Sequence, residues 1–84
     1  PNPFNPSTMI WYITEEPAHV SLEIYNLAGR RVALLLDGIE VPAGYHEVAW
    51  DGRDEMGRDV PTGTYIYRLR AGEYRDSGRM TLIK

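Results

Sequence analysis

Apolar residues recur at every second position through most of this sequence, and glycine, proline, asparagine and aspartate interrupt them at intervals of about ten residues. A period of two matches a β-strand, because successive side chains of a strand point to opposite faces of the sheet. No segment keeps the period of about 3.6 residues that an amphipathic helix requires. The sequence therefore predicts an all-β fold.

The segment Ala18–Asn26 alternates most regularly. Val20, Leu22 and Ile24 fall on one face with polar side chains between them, so we expect one buried and one solvated side. Further strands are predicted at Thr8–Thr14, Arg31–Asp37, Tyr45–Trp50, Thr64–Ala71 and Tyr74–Lys84, with room for a short edge strand in the connection Gly38–Gly44. About seven short strands separated by turns predict an immunoglobulin-like antiparallel β-sandwich.

Three finer predictions concern packing. Alternation in the third segment places Val32, Leu34 and Leu36 inward. Trp50 is expected to be the central aromatic residue of the core. Gly78, inside the last segment, predicts a bulge or a close approach of the backbone.

The first seven residues differ from the rest, since Pro1, Pro3 and Pro6 each fix φ and remove a backbone donor. Residues 1–7 are predicted to be a stiff proline-rich leader or linker, with Phe4 packing it onto the domain. Residues 8–84 are predicted to be a single β-sandwich domain. Because the sequence begins without an initiator methionine, we expect a larger protein upstream of the leader.

Charge and composition narrow the classes of partner. The net charge is −3 and the basic residues are scattered, whereas nucleic-acid binding requires a concentrated cationic face. Cysteine is absent, which excludes disulfides and thiolate metal sites. No apolar stretch is long enough to span a bilayer as a helix, so neither nucleic-acid binding nor a transmembrane segment is predicted.

The two histidines do not predict catalysis. A serine, histidine and acid set requires a histidine that activates a hydroxyl, and neither His19 nor His46 stands in a recognisable nucleophile motif. His19 lies on the polar face of its strand, which predicts a surface residue. His46 alternates in phase with Val48 and Trp50, which predicts a partly buried, hydrogen-bonded residue. We expect no catalytic residues and no enzyme activity.

The loop Asp51–Gly63 is the one candidate for a metal site. Asp51, Asp54 and Asp59 offer carboxylates to calcium, but their spacing does not match the ligand positions of an EF-hand loop. We expect Asp51 and Asp54 to cap turns instead, by accepting hydrogen bonds from backbone N–H groups. No cofactor is predicted.

Aromatic residues are numerous for so short a chain. Beside Phe4 and Trp50, they are Trp11, Tyr12, Tyr25, Tyr45, Tyr65, Tyr67 and Tyr74. Aromatic side chains are favoured in strands and fill small cores, so packing accounts for most of them. A platform for sugar binding would require two or three of these rings to lie coplanar and exposed on one face.

Four segments, in this order and spacing, resemble the C-terminal sorting domain of the type IX (Por) secretion system: Asn2–Thr8, Val20–Val32, Gly44–Asp54 and Gly63–Leu69. The chain is also similar to the immunoglobulin-like domain of the flagellar hook-capping protein. The Trp-Asp-Gly and Gly-x-Tyr-x-Tyr motifs shared with that domain stand here at 50–52 and 63–67.

The resemblance implies a sorting module that directs an exported cargo protein through the outer-membrane type IX translocon. The protein would be secreted or held at the outer-membrane cell surface after passing through the periplasm. Its partners would be the translocon, a sortase and an upstream cargo domain of the same chain. The translocon-recognition residues that it implies are Gly29, Arg30, Met80, Leu82 and Lys84. The terminal strand could also add to a receptor sheet through its edge.

Two other functions stay open beside sorting. One is a structural accessory domain of the hook-capping type, which stabilises or spaces its neighbours. The other is a carbohydrate-binding module of a secreted hydrolase.

Overall fold

The structure is a computed structural model that describes residues 7–84. In this range the chain forms six strands, β1 (Thr8–Thr14), β2 (Ala18–Asn26), β3 (Arg31–Val41), β4 (Gly44–Trp50), β5 (Gly63–Ala71) and β6 (Tyr74–Leu82). Residues 1–6 of the predicted leader, and with them the predicted contact of Phe4, lie outside the described residues. No helix of the described part is long and apolar enough to cross a membrane.

The strands form two antiparallel sheets, as an immunoglobulin-like sandwich requires. β1 pairs with β4, and the other four strands form a larger sheet in the order β3-β2-β5-β6. The regularly alternating β2 lies in the interior of the larger sheet, whereas β3 and β6 form its edges. The all-β sandwich predicted from the alternation is therefore confirmed.

The number of strands differs from the prediction of about seven. The connection Gly38–Gly44 does not contain a separate edge strand, because β3 continues without a break to Val41. Gly38 lies inside this strand with a φ of 63°, and its backbone N–H donates to Ser21 Oγ at 2.9 Å. A glycine that is expected to follow the end of the strand instead lies within it, in a left-handed conformation.

The predicted inward face of β3 is correct only in part. Val32 and Leu36 are half-buried and pack against the core, whereas Leu34 does not, and the one fully buried residue of the strand is Ala33. The cause is a series of bulges in the pairing with β2. Because each bulge inserts one residue that has no direct partner, it resets the alternation of the strand.

The register shows one of these bulges directly. Val20 of β2 pairs with Ile39, and Leu22 pairs with Leu36. Two steps along β2 therefore accompany three steps along β3. The alternation of inward and outward side chains along β3 is therefore interrupted at this bulge.

The core lies between the two sheets, around Trp50. Trp50 is 1% exposed, and its ring meets Tyr65 of the facing sheet edge-on, with centroids 5.0 Å apart and planes at 72°. The indole Nε1 donates to the carbonyl of Arg53 at 2.9 Å, which satisfies the one polar atom of the side chain. The fully buried residues of β2 are Val20, Leu22 and Ile24. The predicted central aromatic and the predicted inner face of β2 are both confirmed.

Of the two alternatives predicted for Gly78, the pairing shows no bulge there, and the close approach is that of a side chain to its backbone. Gly78 pairs with Tyr67 across β5 and β6. A Cβ atom at Gly78 would lie 2.6 Å from the Tyr67 ring. The ring therefore occupies the space that any larger residue would need.

Candidate functional site

The turn between β2 and β3 holds Gly29 and Arg30, two of the residues implied in recognition. Gly29 has a φ of 87°, a left-handed conformation that glycine adopts without steric cost. Asn26 closes the turn, because its carbonyl accepts from the Gly29 N–H and its Oδ1 accepts from the Arg30 N–H, both at 3.0 Å. The Arg30 side chain is exposed and is therefore accessible to a partner.

The other three implied residues lie at the end of β6 and just beyond it. Met80 is half-buried, whereas Leu82 is only 1% exposed and belongs to the core. Leu82 packs directly over Gly52, where a Cβ would lie 2.9 Å from a Leu82 methyl carbon. Contact of a partner with the Leu82 side chain would therefore require the end of β6 to detach.

Lys84 fastens the end of β6 to the loop between β4 and β5. Its Nζ donates to the carbonyl of Gly52 at 3.2 Å and lies 3.3 Å from Asp59 Oδ1. Its backbone N–H donates to Thr62 Oγ1 at 2.9 Å. The lysine side chain is thus engaged within the domain, although part of it remains exposed.

The fold brings these two groups of residues to one end of the larger sheet. Asn26 pairs with Tyr65, and Tyr65 pairs with Met80, so the three residues form a row across β2, β5 and β6. Adjacent strands lie about 4.8 Å apart. The turn that follows Asn26 and the segment that follows Met80 are therefore separated by about two strand spacings.

The acidic residues of the β4–β5 loop cap turns, as predicted. Asp51 Oδ1 accepts from the backbone N–H of Arg53 at 3.0 Å. Asp54 Oδ1 accepts from the backbone N–H groups of Arg58 and Met56, both at 2.9 Å. These hydrogen bonds, that of Arg58 first, hold the pKa of the Asp54 carboxyl below its usual value.

Asp59, the third residue of the candidate calcium site, lies close to two basic side chains. Its Oδ1 lies 3.6 Å from Arg53 Nε and 3.3 Å from Lys84 Nζ. Within residues 7–84 no group of three ligating side chains has an arrangement that could hold a metal ion. Calcium binding at Asp51, Asp54 and Asp59 stays a hypothesis.

Both histidines have the surroundings predicted from the alternation. His19 is exposed, with Nε2 3.9 Å from Glu40 Oε2. His46 is half-buried, its Nε2 lies 2.8 Å from the carbonyl of Pro42, and its ring leans on Tyr12. These contacts explain the position of each histidine without a catalytic role.

An aromatic pair on the outer face of the β1–β4 sheet was not predicted as a pair. Trp11 and Tyr45 are 60% and 58% exposed, and their rings lie within 27° of parallel with centroids 6.1 Å apart. The register pairs Trp11 with Glu47 and Ile13 with Tyr45, so the two rings are diagonal neighbours. The Tyr45 hydroxyl donates to Glu47 Oε2 at 3.0 Å.

The sequence predicts the outward position of Tyr45 but not its contact with Trp11. Alternation in β4 places Tyr45 opposite the core side of Trp50, but nothing in the sequence pairs β4 with β1. The two rings meet the condition for a sugar platform in part, because both are exposed on one face but are stacked at 27° and not coplanar. Tyr12 and Tyr65 are buried, and packing accounts for them as expected.

The comparisons with known proteins identify the family. The family model of the FlgD Ig-like domain matches residues 5–75. A search of the curated proteins gave no match. The matched range takes in β1 to β5 and the first residues of β6, and it ends before Met80. With a match over most of its length and two antiparallel sheets, the chain belongs to the FlgD Ig-like domain family.

Proposed function

We propose that this chain is a non-catalytic immunoglobulin-like accessory domain, which stabilises or spaces the protein segments next to it. The family match over residues 5–75 carries this proposal. The polar side chains that chemistry would use have structural partners instead. Asp54 caps a turn, His46 contacts a backbone carbonyl and Lys84 anchors the end of β6.

A sorting module of the type IX system is the second candidate, and one arrangement favours it. The exposed Arg30 and the end of β6 lie at the same end of the larger sheet. A partner could therefore contact both at once. β6 is also an edge of that sheet, pairing only with β5 within residues 7–84, and an edge strand offers backbone groups for strand addition. The proposed partners are the translocon, a sortase and a cargo domain, and the proposed location is the cell surface or the medium.

One experiment distinguishes the two candidates. Residues 1–84 are fused to the C-terminus of a periplasmic reporter in a host that has a type IX system. An accessory domain leaves the reporter in the periplasm, whereas a sorting domain delivers it to the surface or the medium. Export of the reporter would therefore overturn the accessory proposal, and periplasmic retention of a folded fusion would overturn sorting.

Variants that test the sorting candidate must keep the domain folded. Deletion of Met80–Lys84 removes Leu82 from the core, so loss of export would follow from unfolding alone. Arg30→Ala is the sharper variant, because its side chain is exposed. Arg75→Ala is its matched control, since Arg75 is an exposed arginine at the opposite end of β6. Recognition at the proposed end predicts loss of export with Arg30→Ala and normal export with Arg75→Ala.

A further inference from the structure

The outer face of the β1–β4 sheet is unusually apolar. Met9, Trp11 and Ile13 alternate along β1 with exposed side chains, and Tyr45 lies beside them on β4. An antiparallel sheet with one face on the core normally carries polar residues on its other face. An exposed apolar patch of this kind marks a binding surface more often than a random surface does.

The two rings at the centre of this face are held in place. Trp11 and Tyr45 stand on paired strands, and the Tyr45 hydroxyl is fixed by its hydrogen bond to Glu47 at 3.0 Å. Their centroid separation of 6.1 Å is too large for one ring to cover the other. Both therefore keep exposed aromatic surface, which agrees with their high exposure.

The aromatic surface continues into a groove on the open side of the sandwich, between β1 and β6. This groove has a volume of about 500 Å³, and Trp11 and Tyr74 both line it. Asp76 and Arg79 of β6 also line it. Together with Glu47 beside Tyr45, they border the aromatic surface with charges of both signs.

We propose that Trp11, Tyr45 and the adjoining groove form a binding site for a polysaccharide with flat, equatorially linked sugar rings. The C–H face of a pyranose packs on the electron-rich face of an aromatic ring, and two nearly parallel rings suit a flat chain better than a coiled one. Sugar hydroxyls both donate and accept, so they can bond to the carboxylates of Glu47 and Asp76 and to the guanidinium of Arg79.

Charge supports a neutral ligand over an ionic one. The border holds two carboxylates and one guanidinium, so charges of both signs are present and the net charge is only −1. A polyanion or a basic peptide would meet a like charge in this site. An uncharged polyhydroxylated chain meets hydrogen-bonding partners of both kinds.

The binding test uses the whole 84-residue chain with microcrystalline cellulose, insoluble mannan and chitin as probes, and with soluble amylose as the coiled contrast. We expect retention on at least one flat polysaccharide and none on amylose. Trp11→Ala and Tyr45→Ala should each weaken retention by about tenfold or more, and Trp11→Phe should retain most of the binding. Both rings are exposed, so thermal unfolding of these variants should stay close to that of the wild type.

Ile13→Ala is the matched control, because Ile13 is an exposed residue of the same strand face but has no ring. Its binding should stay within about twofold of the wild type. Equal losses in Ile13→Ala and Trp11→Ala would show a general apolar surface and overturn the proposal. Absence of retention on every flat polysaccharide, or retention by a folded Trp11→Ala variant equal to that of the wild type, would overturn it as well.

Discussion

Gly78 is one of two glycines, with Gly52, at which an added Cβ atom would lie less than 3 Å from a side chain. A Cβ atom at Gly78 would lie 2.6 Å from the ring of Tyr67, which is half-buried between β5 and β6. Gly78→Ala should therefore lower the free energy of unfolding by about 1–3 kcal/mol, the usual cost of overpacking. Urea denaturation measures the change.

Gly63 provides the control for this substitution. It lies in β5, and the nearest atom to a Cβ there is 4.0 Å away, an ordinary contact. Gly63→Ala should leave stability unchanged or raise it by up to about 1 kcal/mol, since alanine restricts the unfolded chain. Equal destabilisation by both substitutions would contradict the steric explanation of Gly78.

Asp54 makes stability depend on pH. Hydrogen bonds from the backbone N–H groups of Arg58 and Met56 hold its pKa below the usual value. A carboxyl with a lower pKa in the folded state stabilises the fold above its unfolded pKa of about 4, and this contribution is lost as the pH falls through the folded pKa.

Asp54→Ala should therefore lower the melting temperature at pH 7, and its difference from the wild type should narrow as the pH is lowered below about 4. Melting curves between neutral and acidic pH measure this difference. Glu16→Ala removes an exposed acid that has no described hydrogen bond and serves as the control. A constant difference for Asp54→Ala across the whole range would refute the role of its ionised form.

Among the strands, those with regular pairing could be predicted and the irregular one could not. β1 and β2 have the predicted bounds, because strict alternation and clear turn residues define them. The prediction for β3 was wrong in the length of the strand and correct only in part for its inner face, since Val32 and Leu36 pack against the core and Leu34 does not. Its bulges depend on how it pairs with β2, and its passage through Gly38 depends on a hydrogen bond to Ser21. Neither contact can be read from the sequence of β3 alone.

The aromatic surface of Trp11 and Tyr45 could likewise be predicted only in part from the sequence. The outward position of Tyr45 follows from alternation within β4, yet its neighbour Trp11 is 34 positions away in the sequence. Only the pairing of β1 with β4 brings the two rings together. Local patterns predict which face a side chain takes, while the grouping of side chains into a site depends on strand order.

The end of β6 should contribute to stability through burial more than through charge. Leu82 is buried against Gly52, so Leu82→Ala should cost about 2–5 kcal/mol. Lys84→Ala removes the ion pair with the largely exposed Asp59 and the hydrogen bond from Nζ to the Gly52 carbonyl, together worth about 1–2 kcal/mol. Urea denaturation of both variants tests this order.

Added salt separates the two contributions further. The effect of Lys84→Ala should shrink at high ionic strength, because salt screens an ion pair with an exposed partner. The effect of Leu82→Ala should remain. A larger loss from the lysine variant than from the leucine variant would mean that the loop anchor, and not the core, holds the end of β6.

At the level of the whole molecule, the two sheets depend on each other. A sheet of two strands is marginal in water unless it packs against another element. The β1–β4 sheet does so through Trp50, whose ring lies against Tyr65 of the larger sheet. In turn, β1 and β4 cover residues of the larger sheet such as Leu22 and Leu69, which are buried in the shared core. Neither sheet should keep its structure once the other unfolds.

The domain should therefore unfold in a single cooperative transition. The test measures two signals in a Trp11→Phe variant, whose only tryptophan is Trp50. Fluorescence of Trp50 reports on the β1–β4 sheet. Far-ultraviolet circular dichroism reports on all strands. Two-state unfolding makes the two curves coincide in urea. A fluorescence midpoint at lower urea than the dichroism midpoint would show that the smaller sheet detaches first. The aromatic surface on that sheet would then be lost before the rest of the fold, whereas coincident curves tie its stability to that of the whole core.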